Sequence, residues 1–163
     1  MDFKWNPGMV ASQKRKNIAA LHDAARSRGL YRLLEISSKS DDELGRRLSA
    51  FSLKLKVGVH DVILECAYQG SKVFRRAGPF TDLFARSPNE ARKDERLRSS
   101  GELIGFEFEG KQFPLSPKSA FYDWLYIRTL FPHREWIRRT VSYQGYMDIE
   151  FNPAKSVSCQ ARA

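Results

Sequence analysis

Apolar and polar positions along the chain switch between two spacings, and each switch marks an element. Ser12 opens a helical stretch to about Arg28, with Ile18, Leu21, His22 and Ala25 on its inner stripe and Gly29 as its stop. His22 on that stripe reads as a core histidine. Tyr31 to Ile36 is apolar enough for a short strand. Ser40-Asp41-Asp42-Glu43 has the form of a capping box, so a short helix to about Leu48 is expected. Leu53, Leu55 and Val57 alternate as a strand. Val62 to Phe74 reads as the central helix, capped by Asp61, with Gly78 just past its end. Its apolar side is Ile63, Leu64, Cys66, Ala67, Gly70, Val73 and Phe74. Glu65, Tyr68, Gln69 and Lys72 fall at i, i+3, i+4 and i+7 and share the other face.

Beyond Gly78-Pro79 the chain is punctuated more often. Asp82 to Phe84 is a turn or a short helix. Ser87-Pro88-Asn89-Glu90 is a strong helix start, with Ser at N-cap, Pro at N1 and Glu at N3. The charged run that follows, Arg92 to Arg98, reads as a solvated face laced with ion pairs. Ile104 to Leu115 alternates around Glu109-Gly110, a hairpin signal. Ser116-Pro117 caps a helix through Phe121, Trp124, Leu125 and Leu130, ended by Pro132, and a further short helix covers Arg134 to Thr140. Near the end Asp148 and Glu150 alternate with Met147, Ile149 and Phe151, so in a strand both acids face one side.

This pattern predicts an α+β fold, predominantly helical, as a single domain over 1–163 with a small hairpin or sheet and an irregular segment over 1–10. A chain of 163 residues with 42% hydrophobic and 12% aromatic content suits one domain with a real core. No apolar run approaches the roughly 20 residues of a membrane span, and no secretory leader is visible, so no membrane contact and a cytoplasmic location are expected. Cys66 and Cys159 are too few for a disulfide framework. The three histidines form no Cys/His pair at ligand spacing, so no metal and no cofactor are expected. The net charge of +9 is compatible with a polyanionic partner, a nucleic acid or a phosphate-rich ligand.

Two groupings carry candidate chemistry. Glu65 and Lys72 are about 10.5 Å apart along a helix axis, near enough for two long side chains to converge over Tyr68 and Gln69. A solvated polar face is the plainer reading of the same spacing. Asp148 and Glu150 would repel when close, which raises one pKa and suits acid/base work, and an exposed sheet edge is the plainer reading. Glu109-x-Lys111 lies at a turn and is rejected as a nuclease motif.

Leu64-Glu65-Cys66-Ala67-Tyr68-Gln69-Gly70-Ser71-Lys72 resembles the signature of the NADAR (YbiA-like) superfamily, Glu-His-x-x-Gln-x-x-Lys. Ser87-Pro88-Asn89-Glu90-Ala91-Arg92 resembles its Ser-Pro-x-Glu-Ala segment, and Leu48-Ser49-Ala50-Phe51 its Leu-Ser-Asn-Phe element. Phe121-Tyr-Asp-Trp-Leu125, with Asp148-Ile-Glu-Phe-Asn-Pro153 and Cys159-Gln-Ala161, is most similar to the branch of DarT-associated NADAR antitoxins. Cys66 stands where the pattern has His, Gly70 where it has Ala and Ala50 where it has Asn. Members of the family continue into another helix past Cys-Gln-Ala.

The resemblance implies the NADAR fold and a glycosidase that removes ADP-ribose from guanine in DNA, undoing the mark of a DarT-type ADP-ribosyltransferase toxin. Lys72 is then the nucleophile, as a neutral amine attacking the anomeric carbon after ring opening. Glu65 is the general acid/base. Asp148, or failing that Glu150, assists or orients ribose hydroxyls. Tyr68 and Gln69 line the pocket, Ser49 and Phe51 contact the ligand, and Trp124 stacks on a base or packs in the core. Single-stranded or flipped-out guanine is the expected substrate. The other readings are a non-catalytic basic nucleic-acid-binding protein, an antitoxin that binds its toxin, and a small-molecule N-glycosidase acting on riboflavin-pathway intermediates.

Overall fold

The structure, a computed structural model, describes residues 2–8, 10–140, 142–149 and 159–161. In chain order the elements are α1 (Ala11–Arg26), β1 (Leu33–Glu35), α2 (Glu43–Arg47), β2 (Lys54–Val57), β3 (His60–Ile63), α3 (Leu64–Gly70) and β4 (Lys72–Phe74). They continue with a 3-10 turn (Thr81–Ala85), α4 (Pro88–Lys93), α5 (Arg96–Ser99), β5 (Leu103–Phe108), β6 (Lys111–Phe113), α6 (Ala120–Leu130), α7 (Arg134–Thr140) and β7 (Gly145–Met147). The architecture is mixed α/β. Short strands are as numerous as helices among the described residues, so helix does not predominate to the extent expected. None of these helices is long and apolar enough to cross a membrane.

The chain forms two compact units. One joins Met1–Ser49 to Pro132–Arg162 and the other is built on Ala50–Phe131. In the first, β1 and β7 pair in parallel, Leu33 opposite Gly145 and Glu35 opposite Met147. The Gln144 side-chain oxygen extends this pairing by accepting from the Tyr31 and Arg32 amides at 2.7 and 2.9 Å. Asp42, not Ser40, caps α2: its carboxylate accepts from the Leu44 amide at 2.8 Å, while the Ser40 hydroxyl accepts from the Asp42 amide one turn earlier. Asn17 is wholly buried and fastens the N-terminal turn, its side-chain oxygen accepting from the Asn6 amide at 2.6 Å. His22 is half-buried, so it is not the satisfied core histidine expected. Its Nε2 has no hydrogen-bond partner among the described residues, and burial lowers its pKa.

The second unit holds one core, in which Leu64, Cys66, Ala67, Leu83, Phe106, Phe108, Phe121 and Leu125 are all buried. Phe121 stacks on Phe106 at 4.5 Å and meets Phe113 at 4.8 Å. β2 and β3 form a hairpin, and β4, β5 and β6 form a three-stranded antiparallel sheet. The turn between β5 and β6 is Glu109-Gly110 as expected, with φ of 49° and 74°, the left-handed pair that a tight hairpin demands.

The stretch from Val62 to Phe74 is not one helix. Val62 and Ile63 end β3, which pairs with β2 (Lys54 opposite Ile63). Lys72, Val73 and Phe74 form β4, with Lys72 opposite Phe106. Only Leu64–Gly70 is helical. Branched and aromatic side chains at both ends favour strand, and the partner strands satisfy their backbone groups. The helix stops where the Ser71 hydroxyl and amide both return to the Ala67 carbonyl, at 2.7 and 3.1 Å.

Three further boundaries differ from the sequence pattern. The charged run after Ser87 is broken at Asp94, whose carboxylate accepts from the Arg96 amide and so starts α5 separately from α4. α6 begins at Ala120, after the Ala120 amide closes a turn on the Pro117 carbonyl. Ser116 precedes a proline, which disfavours helical backbone there. β7 ends at Met147, so Asp148 lies past the strand. Glu150 lies outside the described residues.

Gly70 marks the tightest packing in α3. A β-carbon there would lie 2.6 Å from the Phe84 ring and 2.8 Å from the Phe80 carbonyl. Gly70→Ala is therefore expected to destabilise the protein by about 1–3 kcal/mol, read as a lower midpoint in denaturant at unchanged slope. An unchanged midpoint would mean that Phe84 gives way freely.

Candidate functional site

α3 and β4 place three polar side chains in sequence inside the second unit. Glu65 occupies the first turn of α3 and is 7% exposed; Gln69, one turn on, is 8% exposed. Gln69 Nε2 donates to Glu65 Oε1 at 2.9 Å. Lys72 Nζ donates to Gln69 Oε1 at 2.7 Å. An amide with one end on a carboxylate and the other on an amine has only one useful orientation, so Gln69 fixes the separation of the two. Lys72 reaches it from the first residue of β4, not from a shared helical face.

Aromatic packing holds the amine from below. Lys72 Nζ lies 5.1 Å from the centre of the Tyr68 ring. That ring stacks on Phe106 at 5.5 Å and takes the edge of Tyr122 at 5.1 Å. The core therefore determines the position of the ring against which the amine lies.

Burial moves the two titratable groups toward each other. It pushes the Glu65 carboxyl above its ordinary 4.5, against the Gln69 hydrogen bond and the charges of Arg92 and Lys72. Burial pushes the Lys72 amine below its ordinary 10.5, and Arg92 adds to that while Glu65 opposes it. A carboxyl that keeps its proton longer and an amine that loses its proton sooner are shifted in the directions that acid/base and nucleophilic chemistry uses.

Arg92 is the residue that the sequence pattern hid. It follows Ala91, which is fully buried in α4, and its Nε lies 3.8 Å from Glu65 Oε1. Its guanidinium covers the Phe51 ring at 5.4 Å. Six charges between Arg92 and Arg98 read as a solvated face, and only the helix phase set by Ser87 and Glu90 singles out this one. The capping box itself forms as expected, with Glu90 Oε2 accepting from the Ser87 amide at 2.9 Å.

The other expected residues are placed as follows. Phe51 lies in the same unit, beneath Arg92. Trp124 is half-buried in that unit, 4.7 Å from Phe113, with the Arg128 guanidinium 5.3 Å from its ring. Ser49, buried, and Asp148, half-buried, belong to the first unit. That unit also holds a buried carboxylate absent from the sequence reading, Glu35 in β1, which accepts from the Ile149 amide at 3.0 Å. Cys66 is no nucleophile, because burial pushes its thiol up to about 11 and Sγ donates to the Arg86 carbonyl at 3.1 Å. Among the described residues no cluster of three or more His, Cys, Asp or Glu is placed to hold a metal ion.

The family model described as DarT1-associated NADAR antitoxin matches residues 1–163. No curated protein matches the chain.

Proposed function

Because the chain belongs to this family of DarT1-associated NADAR antitoxins, we propose that it is an N-glycosidase that removes ADP-ribose from guanine in DNA, reversing the mark of a DarT-type toxin. The observation that carries the reading is the linkage of Glu65 to Lys72 through Gln69, with the pKa of each end shifted toward neutrality.

The chemistry follows from those groups. Glu65, holding its proton, protonates the ring oxygen of the ribose joined to the guanine amino nitrogen. The ring opens and leaves a C=N bond between the anomeric carbon and that nitrogen. The neutral Lys72 amine adds to the same carbon, a proton passes from the lysine nitrogen to the guanine nitrogen, and guanine departs with its amino group restored. The imine now joins ADP-ribose to Lys72. Water adds to it with the Glu65 carboxylate as base, the carbon–lysine bond breaks, and ADP-ribose leaves. Phe51 and Arg92 flank the carboxylate, where the guanidinium would meet the pyrophosphate. Tyr68 and Trp124, in the same unit, are proposed as further contacts to ribose or base.

The test is a single-stranded oligonucleotide ADP-ribosylated on guanine, incubated with the protein while free ADP-ribose is followed. Release with the unmodified oligonucleotide regenerated supports the reading. A folded protein that leaves the adduct intact overturns it. Faster turnover of a free nucleoside adduct than of the oligonucleotide would favour the small-molecule glycosidase instead.

Arg92 gives a sharper check. Its charge lowers the pKa of both Glu65 and Lys72. Removing it lets both rise. Activity that needs a protonated Glu65 and a neutral Lys72 gives a bell-shaped pH profile, and Arg92→Gln is expected to move both limbs to higher pH. A fall in rate at every pH with unmoved limbs would restrict Arg92 to holding substrate.

A further inference from the structure

The first unit carries a feature that the glycosidase site does not use. Trp136 in α7 is 40% exposed, and the Arg47 guanidinium from α2 lies 5.2 Å from its ring centre. α7 itself reads Arg134-Glu-Trp-Ile-Arg-Arg-Thr. Arg139 is three residues from Trp136 and shares its side of the helix. Arg138 is four from Arg134 and shares that one. Arg46 on α2 is exposed but engaged, its guanidinium donating to the Ser40 and Asp41 carbonyls at 2.7 and 2.9 Å. Glu135 pairs with Arg138 at 3.2 Å and Arg134 at 3.9 Å, in exposed pairs that a competing anion displaces at little cost. The acids of the two helices are Glu43 and Glu135, against five arginines.

We infer that this face of α2 and α7 is a track for single-stranded DNA, with Trp136 as a stacking platform and Arg47 and Arg139 as phosphate contacts. It rests on the reading of the substrate as a nucleotide within DNA, since a surface that holds neighbouring nucleotides raises the encounter rate with one modified base. A part-exposed indole with a guanidinium over its ring is an arrangement that binds unpaired bases: a base stacks on the ring or on the guanidinium plane, and the arginines follow the backbone. A protein partner would need a broader apolar patch than one ring among cations.

The test uses an unmodified single-stranded oligothymidylate and the full chain, so it does not depend on turnover. Binding should quench tryptophan fluorescence. Trp136→Phe should lose most of that quench and keep the affinity, while Trp136→Ala should weaken binding about tenfold. Arg47→Glu with Arg139→Glu should weaken it by about tenfold or more at ~0.1 M salt. The neutral pair Arg47→Gln with Arg139→Gln should reduce the salt slope by about two. These variants should release ADP-ribose from a free nucleoside adduct at the wild-type rate. If the chain cleaves no adduct at all but loses oligonucleotide affinity in these variants, the track stands and the glycosidase reading fails. Unchanged affinity in Trp136→Ala and in the charge-reversal pair overturns the track, as does duplex DNA binding more tightly than the single strand. Loss of binding to a DarT-type toxin with oligonucleotide affinity intact also overturns it, and assigns the face to the toxin.

Discussion

Lys72→Ala is expected to lower the rate of ADP-ribose release by at least about a thousandfold, because it removes the atom that carries the covalent intermediate. Borohydride added during turnover should reduce the imine and leave the wild-type chain heavier by one reduced ADP-ribose, with the added mass on the peptide containing Lys72. The alanine variant should show no such mass. Folding should survive. The substitution leaves Gln69 Oε1 without the amine that it accepts from at 2.7 Å, a loss of about 1 kcal/mol for one hydrogen bond. It also relieves the cost of a desolvated amine. Lys72 titrates lower in the fold than in the unfolded chain. The unfolded chain therefore binds more protons just below 10.5, and the fold gains stability as pH rises through that range. Without the amine that slope should vanish. A variant that turns over at the wild-type rate, or a labelled peptide that lacks Lys72, would move the nucleophile elsewhere.

Glu65→Gln is expected to lower the rate about 10²- to 10⁴-fold, the range for losing one positioned acid/base. The amide has the shape of the acid and still offers an oxygen to Gln69 Nε2, so the arrangement around Lys72 should persist. The more telling readout is stability. Glu65 titrates higher in the fold than in the unfolded chain. The folded state then binds the extra proton, and wild-type stability falls as pH rises from about 4.5 through the folded value. Glutamine has no such slope. The variant should melt at a higher temperature than wild type at neutral pH and lose this advantage in acid, as expected of a group kept for chemistry at the expense of the fold. A variant that is both inactive and less stable at neutral pH would mean that Glu65 is held mainly by its pairing with Arg92, 3.8 Å away. A fully active variant would leave the proton transfers to another carboxylate.

Much of this site was legible because its spacing is local. Glu65 and Gln69 are one turn apart in a real helix, and the hydrogen bond between them is what that spacing allows. Ser87, Pro88 and Glu90 form a cap from side chains and amides three residues apart, and it appears as expected. The Glu109-Gly110 turn is local in the same sense. Lys72 shows the limit. Its pairing with Glu65 and Gln69 was expected from a helical repeat, and the helix ends at Gly70; the amine arrives at the same amide by another backbone route. The three side chains meet, by a route that the helical repeat does not describe.

What the sequence alone determined are features decided within a turn or two: the Ser87–Glu90 cap, the Glu109-Gly110 hairpin, and the one-turn spacing of Glu65 and Gln69. Tertiary structure decided whatever depends on segments distant in sequence. Strand pairing with β2 and β5 cut the central helix at both ends, because branched residues such as Val62 and Val73 accept either conformation and the partner strand settles it. Packing of α4 against α3 brought Arg92 to Glu65, and no local spacing encodes a contact across 27 positions. Burial did the rest. The shifts of Glu65 and Lys72 come first from lost water, a property of the assembled core that neither residue carries on its own.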